Sequence, residues 1–179
     1  MITVTIPYNG TPHHLSSLLV NLQPQLHPSD DIYIIDSSPD RSGVEIARIY
    51  GTTRCYVFVE VSDRKGLEAV TYGYESMRDN NQSGSLVIPP NVLISATFIQ
   101  NLKKAITESY DVFYFNEVAI QGFVDPNFLW YTKLPVIEPC KEKNTDFFYV
   151  KRSAVLYYKD FPKASLLYAT LSSELVVRL

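Results

Sequence analysis

Residues 2–36 read ITVTIPYNGTPHHLSSLLVNLQPQLHPSDDIYIID, and the fold prediction starts from them. Ile2–Ile6 alternates apolar and hydroxyl residues, as strands do, and Pro7 is expected to end this strand because proline has no N–H to donate. From His14 onward, leucines recur at spacings of three and four, which predicts a helix. Asp31–Asp36 is a short apolar run that ends on a carboxylate, as expected of a buried parallel strand.

The alternation of strand and helix continues along the chain. Further predicted strands are Arg54–Val61, Ser85–Ile88, Val112–Ile120 and Phe147–Val150. Further predicted helices are Val44–Tyr50, residues 67–77, Ala96–Ile106, a short one at Ser153–Tyr158, and a closing helix at Ser165–Arg178. Asp125–Asn144 contains three prolines and predicts a long loop. This order predicts an α/β fold with a mostly parallel sheet flanked by helices.

Composition narrows the class of protein. A chain of 179 residues with 46% hydrophobic and 20% charged residues predicts one globular domain, residues 1–179. The formal charge of -3 provides no broad positive field, so nucleic acid is not an expected partner. The first residues contain no basic leader, and no apolar run approaches the roughly 18 residues of a membrane span. We therefore expect a cytoplasmic protein without a membrane span.

The loops after the predicted strands contain the candidate binding groups. In an open parallel sheet, ligands bind at the carboxyl ends of the strands, near the point where the strand order reverses. An aromatic ring, a carboxylate and a basic pair beside a glycine are suited to contact a base, a ribose and a diphosphate. The candidate nucleotide-binding residues are Pro7, Tyr8, Asn9, Asp36, Ser38, Arg64, Lys65, Gly66 and Pro89.

Each of these residues also has a structural alternative. Asp36 can bond its own backbone, as aspartate often does in turns. Tyr8 can be a core or rim tyrosine in a chain that has 13 of them. Arg64 and Lys65 can belong to an ordinary solvated loop.

The ordered segments resemble the inverting nucleotide-sugar glycosyltransferases of the large family (family 2) with the GT-A fold. The similar segments are ITVTIPYNGTPHHLSSLL from residue 2, DIYIIDSSPDRS from 31, RKGLEAVTYGYESM from 64, SLVIPPNVLISATFIQNLKKAI from 85 and FFYVKRSAVL from 147. The resemblance implies that Asp36 contacts uracil. It further implies transfer of a sugar from a nucleotide-sugar, such as a UDP-sugar, to a hydroxyl of a sugar or glycan acceptor, with inversion.

The metal-binding motif of that family is altered in this chain. Its Asp-X-Asp falls on Pro89, Pro90 and Asn91, so both acidic ligands for a hard cation are missing. We therefore expect Mn²⁺ or Mg²⁺ to bind weakly, through Asn91, and only together with the nucleotide.

The Glu-Asp pair that supplies the family's general base is also missing. It falls on Leu171 and Ser172 of ATLSSELVVRL, which resembles the start of the family's last helix. Glu117, Asp125 and Asp146 are the candidate replacements for the base. The loss of both acidic motifs favours an alternative, a non-catalytic relative that binds nucleotide as a binding or assembly module. A third hypothesis is a structural α/β domain with no nucleotide affinity.

Overall fold

The computed structural model describes residues 1–51, 55–63, 83–107, 110–119, 137–139, 147–151 and 168–178. Its strands are β1 Thr3–Tyr8, β2 Asp31–Asp36, β3 Tyr56–Val61, β4 Gly84–Val87, β5 Val92–Ile94, β6 Val112–Ala119, β7 Ile137–Pro139, β8 Phe148–Lys151 and β9 Tyr168–Arg178. Its helices are α1 Pro12–Leu22, α2 Ser42–Tyr50 and α3 Phe98–Ala105, and a 3-10 turn, Gln23–Gln25, follows α1.

The described strands form one sheet in the order β3-β2-β1-β4-β8-β6-β9-β5, with β7 paired to β9. Strands β3, β2, β1 and β4 are parallel, whereas β8 lies antiparallel to β4 and β6. Strand β9 is parallel to β6 and antiparallel to β5 and β7. The predicted α/β class, a sheet flanked by helices, is confirmed. The chain order reverses at β1, because β2 lies on one side of β1 and β4 on the other.

Strand β1 continues two residues beyond the predicted end at Ile6. Strand β2 pairs with β1 up to Tyr8, but β4 pairs with it only up to Thr5. The carbonyl of Thr5 accepts a bond from the N–H of Ile88, so Pro7, two residues on, also faces the β4 side. Its missing N–H therefore removes no bond to a paired strand, and a proline is tolerated there.

Helix α1, which follows β1 in the chain, contacts the short strand β5. Its apolar face is buried as the spacing predicts, at Leu15, Leu18, Leu19 and Leu22. The amide of Asn21 on α1 donates to the carbonyl of Ile94 at 3.0 Å and accepts from the Ile94 N–H at 2.9 Å. The side chain of Asn21 thus makes the two hydrogen bonds to the backbone of Ile94 that a neighbouring strand would make. The sequence did not predict this contact.

The predicted closing helix is wrong. Tyr168–Arg178 is the 11-residue strand β9, and three other strands pair with it. Its Thr170, Val176 and Val177 are β-branched and favour extended backbone, and the pairing supplies the hydrogen bonds that a helix would otherwise make. Apolar spacing in this segment fits both conformations, so the sheet decides the outcome.

The remaining predictions divide into two groups. The other predicted elements within the described residues are confirmed to within about two residues at their ends. Strand β7 lies inside the predicted loop 125–144, so that prediction is wrong for residues 137–139. The helices predicted at 67–77 and Ser153–Tyr158 lie outside the described residues. Within the described ranges, no helix is long and apolar enough to cross a membrane.

Candidate functional site

Three neighbouring parallel strands end level with one another. Tyr8, Asp36 and Val61, the last residues of β1, β2 and β3, are register partners. Strand β4 ends beside Thr5, and its chain continues through residues 88–91. We call these strand ends, with the loops 9–11, 37–41, 62–63 and 88–91, the carboxyl edge. It lies at the strand-order reversal, where open α/β sheets bind ligands.

Asp36 is fully buried, and both of its carboxylate oxygens accept hydrogen bonds within the protein. Oδ1 accepts from the backbone N–H of Ser38 at 2.9 Å and from its hydroxyl at 2.5 Å. Oδ2 accepts from the N–H of Gly43, in the first turn of α2, at 2.9 Å. A Cβ on Gly43 would lie 2.7 Å from Oδ2, so this approach requires glycine. These contacts match the turn-forming alternative for Asp36.

Tyr8 is a core residue with an exposed fraction of 1%. Its hydroxyl lies 2.7 Å from Oγ of Ser42, and it is the donor because the Ser42 hydroxyl donates to Asp40 at 2.9 Å. Burial raises the pKa of Tyr8 above its ordinary value, and the bond to Ser42 partly offsets this. The buried ring matches the core alternative for Tyr8, and its contact with a base stays a prediction.

Ser42 also fixes the exposed carboxylate of Asp40. The Ser42 hydroxyl and backbone N–H both donate to Asp40 Oδ1, and these bonds lower the pKa of Asp40. On the other side of the loop, the hydroxyl and N–H of Ser37 donate to the carbonyl of Tyr8 at 2.9 and 2.8 Å. The loop after β2 is therefore held by side chains at both ends.

Arg41 lies on this edge and was missed by the sequence analysis. Its Nη1 donates to the carbonyls of Asp36 at 3.2 Å and Ser62 at 3.4 Å, and its Nη2 donates to Asp63 at 2.8 Å. In the sequence, Asp-Arg-Ser is an ordinary polar turn. Only the parallel pairing of β2 with β3 brings both carbonyls within reach of one guanidinium.

The structure brings six of the predicted binding residues to the carboxyl edge: Pro7, Tyr8, Asn9, Asp36, Ser38 and Pro89. Asn9 is exposed and Ser38 is buried. The adjacent Gly10 has φ +110°, a left-handed conformation that favours glycine. Arg64, Lys65 and Gly66 lie outside the described residues.

The turn between β4 and β5 occupies the place of the expected metal ligands. Pro89 and Pro90 are buried, Asn91 is partly buried, and the Val92 N–H donates to the carbonyl of Pro89 at 3.2 Å. Among the described residues, no three His, Cys, Asp or Glu side chains are grouped as a metal site requires. Of Pro89, Pro90 and Asn91, only Asn91 has a side-chain oxygen, so they do not fit a Mn²⁺ or Mg²⁺ site with two carboxylates.

Of the three candidate general bases, the structure describes the backbone of Glu117 alone. Glu117 lies in β6, just after a register shift, with Val176 of β9 as its partner. Asp125 and Asp146 lie outside the described residues. Leu171 and Ser172 lie within strand β9, so their predicted position at the start of a helix is wrong.

Comparison with known proteins supports the fold and not a family. No protein-family model matches the chain, and no curated protein matches it. A crystal structure of S. aureus TarS residues 1–349 has a TM-score of 0.65 at 12% identity, covering 97% of this chain and 59% of that one. Glucosyl-3-phosphoglycerate synthase from Mycobacterium tuberculosis, in complex with phosphoglyceric acid, has a TM-score of 0.57 at 13% identity, covering 97% and 71%.

The similar structures include nucleotidyltransferases as well. A putative glucose-1-phosphate thymidylyltransferase from Bacillus anthracis has a TM-score of 0.54 at 12% identity, covering 97% of this chain and 88% of that one. At these identities, the likeness establishes a GT-A-like fold and no more. The chain spans 59% of the TarS fragment's length, and TarS elements beyond that share have no counterpart in the match.

Proposed function

We propose that this chain binds a nucleotide-sugar, with a UDP-sugar as its ligand, at the carboxyl edge. The observation that carries the proposal is the strand-order reversal at β1, with the ends of β1, β2 and β3 level beside it. This is where open α/β sheets bind ligands. The GT-A-like fold, shared with glycosyltransferases and nucleotidyltransferases, supports the same site.

The proposed activity is transfer of the sugar to a hydroxyl of a sugar or glycan acceptor, with inversion. Such a reaction needs a general base within hydrogen-bond reach of the acceptor hydroxyl. Glu117, Asp125 and Asp146 remain the residues proposed for this role. Support for transfer rests on the fold and on the ordered sequence resemblance.

The second candidate function is a non-catalytic nucleotide-binding module. Two observations favour it. Buried Pro89 and partly buried Asn91 stand where the two acidic metal ligands are expected, and strand β9 stands where the helix that begins with the base is expected. A binding module needs neither group. Incubating the protein with UDP-sugars and following release of UDP separates the two functions, because only a transferase or hydrolase releases it.

Calorimetric titration of UDP, ADP and GDP tests the proposed binding. We expect UDP to bind most tightly, because the loop held by Asp36, Ser37 and Ser42 has little freedom to open for a larger purine. Equal affinity for the three nucleotides would contradict the assignment of uridine. Absence of all binding would favour a structural domain.

The same titrations, repeated with Mn²⁺, test the metal proposal. The apo protein should show no micromolar Mn²⁺ site, and Mn²⁺ should enter only as a complex with UDP, near the Asn91 amide. A neutral amide and phosphate oxygens form a weaker set of ligands than two carboxylates. Tight Mn²⁺ binding by the apo protein would contradict this proposal.

A further inference from the structure

Arg41 is fixed above the ends of two strands by backbone acceptors. Its Nη1 bonds the carbonyl of Asp36, the last residue of β2, and the carbonyl of Ser62, the residue after β3. A planar guanidinium held by one nitrogen has little freedom to turn, and it keeps donors on its other nitrogens. The structure therefore holds a preorganised cation on the carboxyl edge.

The carboxylate that pairs with Arg41 is weakly held. Nη2 of Arg41 donates to Oδ1 of Asp63 at 2.8 Å, and the Asp63 side chain is 96% exposed. Ion pairs at such exposure contribute little to stability, because water solvates both charges when they separate. An incoming anion can therefore replace Asp63 at small cost.

The backbone of Arg41 adds a second observation. Among the described residues, Arg41 alone combines a side chain with a positive φ, of 55°. This left-handed conformation costs stability for a residue with a Cβ, and glycine or asparagine would adopt it more readily. Strained conformations of this kind cluster at ligand sites. The residue with this costly backbone conformation is also the one whose guanidinium lies at the ends of β2 and β3.

We propose that Arg41 binds a phosphate group of the nucleotide and that the phosphate takes the place of Asp63 on Nη2. The guanidinium fork matches phosphate oxygens and forms charge-assisted hydrogen bonds with them. The inference rests on the proposed function. Because the acidic metal ligands are missing at Pro89 and Asn91, the protein holds no metal of its own against a diphosphate, and the Arg41 guanidinium supplies a positive charge in its place.

The test compares UDP with uridine in calorimetric titrations of the full chain. In Arg41→Asn, which suits a left-handed residue, UDP affinity should fall about tenfold to a hundredfold, the usual size of a lost charge-assisted hydrogen bond. Uridine affinity should stay within about twofold, since uridine has no phosphate. Asp63→Asn should bind UDP at least as tightly as the wild type, because the competing carboxylate is gone.

Arg48→Gln is the matched control. Arg48 lies in the last turn of α2, is exposed, and pairs with Glu45, so the variant removes the same charge and an ion pair away from the carboxyl edge. Its UDP affinity should equal that of the wild type. Equal loss of UDP and uridine affinity in Arg41→Asn, unchanged UDP affinity in that variant, or weaker UDP binding by Asp63→Asn would each overturn the role of Arg41.

The two proposals fail in distinguishable ways. A wild-type protein that binds no UDP would overturn the proposed function and this inference with it. If the wild-type protein binds UDP and Arg41→Asn binds it equally tightly, this inference alone is overturned. Circular dichroism of Arg41→Asn establishes that the variant is folded, and its retained uridine affinity would support the phosphate contact.

Discussion

Replacing Asp30 by alanine should lower the free energy of unfolding by about 3 to 5 kcal/mol, because two backbone N–H groups and the Lys103 ammonium would together lose their buried acceptor. Asp30 is fully buried just before β2. Its carboxylate accepts from the backbone N–H of Ile2 at 3.0 Å and of His27 at 2.8 Å, and from Nζ of Lys103 on α3 at 2.5 Å. One side chain thus joins the start of β1, the chain leading into β2, and a helix. Alanine would leave all three donors without this acceptor.

Urea unfolding followed by circular dichroism measures the change. Asp30→Asn is the matched variant, since its amide oxygen can still accept from one backbone N–H but the charge facing Lys103 is lost. Its loss of stability should lie between zero and that of Asp30→Ala. A loss below about 1 kcal/mol in Asp30→Ala would show that the three contacts are not retained in solution.

Asp36→Ala should destabilise the protein by about 2 to 4 kcal/mol, since its three buried hydrogen bonds would lose their acceptor. The affected donors belong to Ser38 and Gly43, which fix the loop after β2 and the first turn of α2. Because that loop forms part of the carboxyl edge, UDP and uridine should lose affinity together. Arg41→Asn differs, since it should weaken UDP alone.

The exposed Asp40 provides the control for Asp36. Asp40→Asn removes a carboxylate from the same loop. The hydroxyl and N–H of Ser42, which donate to Asp40, are exposed enough for water to accept their hydrogen bonds instead. Its unfolding midpoint should stay close to that of the wild type. If Asp36→Ala kept wild-type stability yet lost uridine binding, Asp36 would be a direct ligand contact and not a support of the loop.

Asp36 illustrates which features of the candidate site could be predicted from the sequence. Its position at the end of β2, at the edge where ligands bind, followed from an apolar run that ends on a carboxylate. The partners of its oxygens did not follow, because Gly43 comes within 2.9 Å only after α2 has packed back against the strands. The turn-forming alternative and the uracil contact therefore could not be separated from the sequence.

Segments whose pattern fits one period were predicted well. Leucines at helical spacing in α1, the alternation of apolar and hydroxyl residues in β1 and the apolar run in β2 each favour one conformation, so these elements and the α/β class followed from local chemistry. Strand β5 has three residues, which is too short to show a period, and it is held by pairing with β9 and by the Asn21 side chain, which bonds the backbone of Ile94.

The conformation of β9 and the position of Arg41 depend on contacts between segments that are far apart in the chain. Residues 168–178 form a strand because β5, β6 and β7 hydrogen-bond to them, and these strands come from three separate parts of the chain. Arg41 reaches the carbonyls of Asp36 and Ser62 because β2 and β3 run parallel and end level. A hydrogen bond between segments far apart in the chain depends on where each segment packs. Local sequence carries the propensity for a strand or a turn but not the identity of its partner.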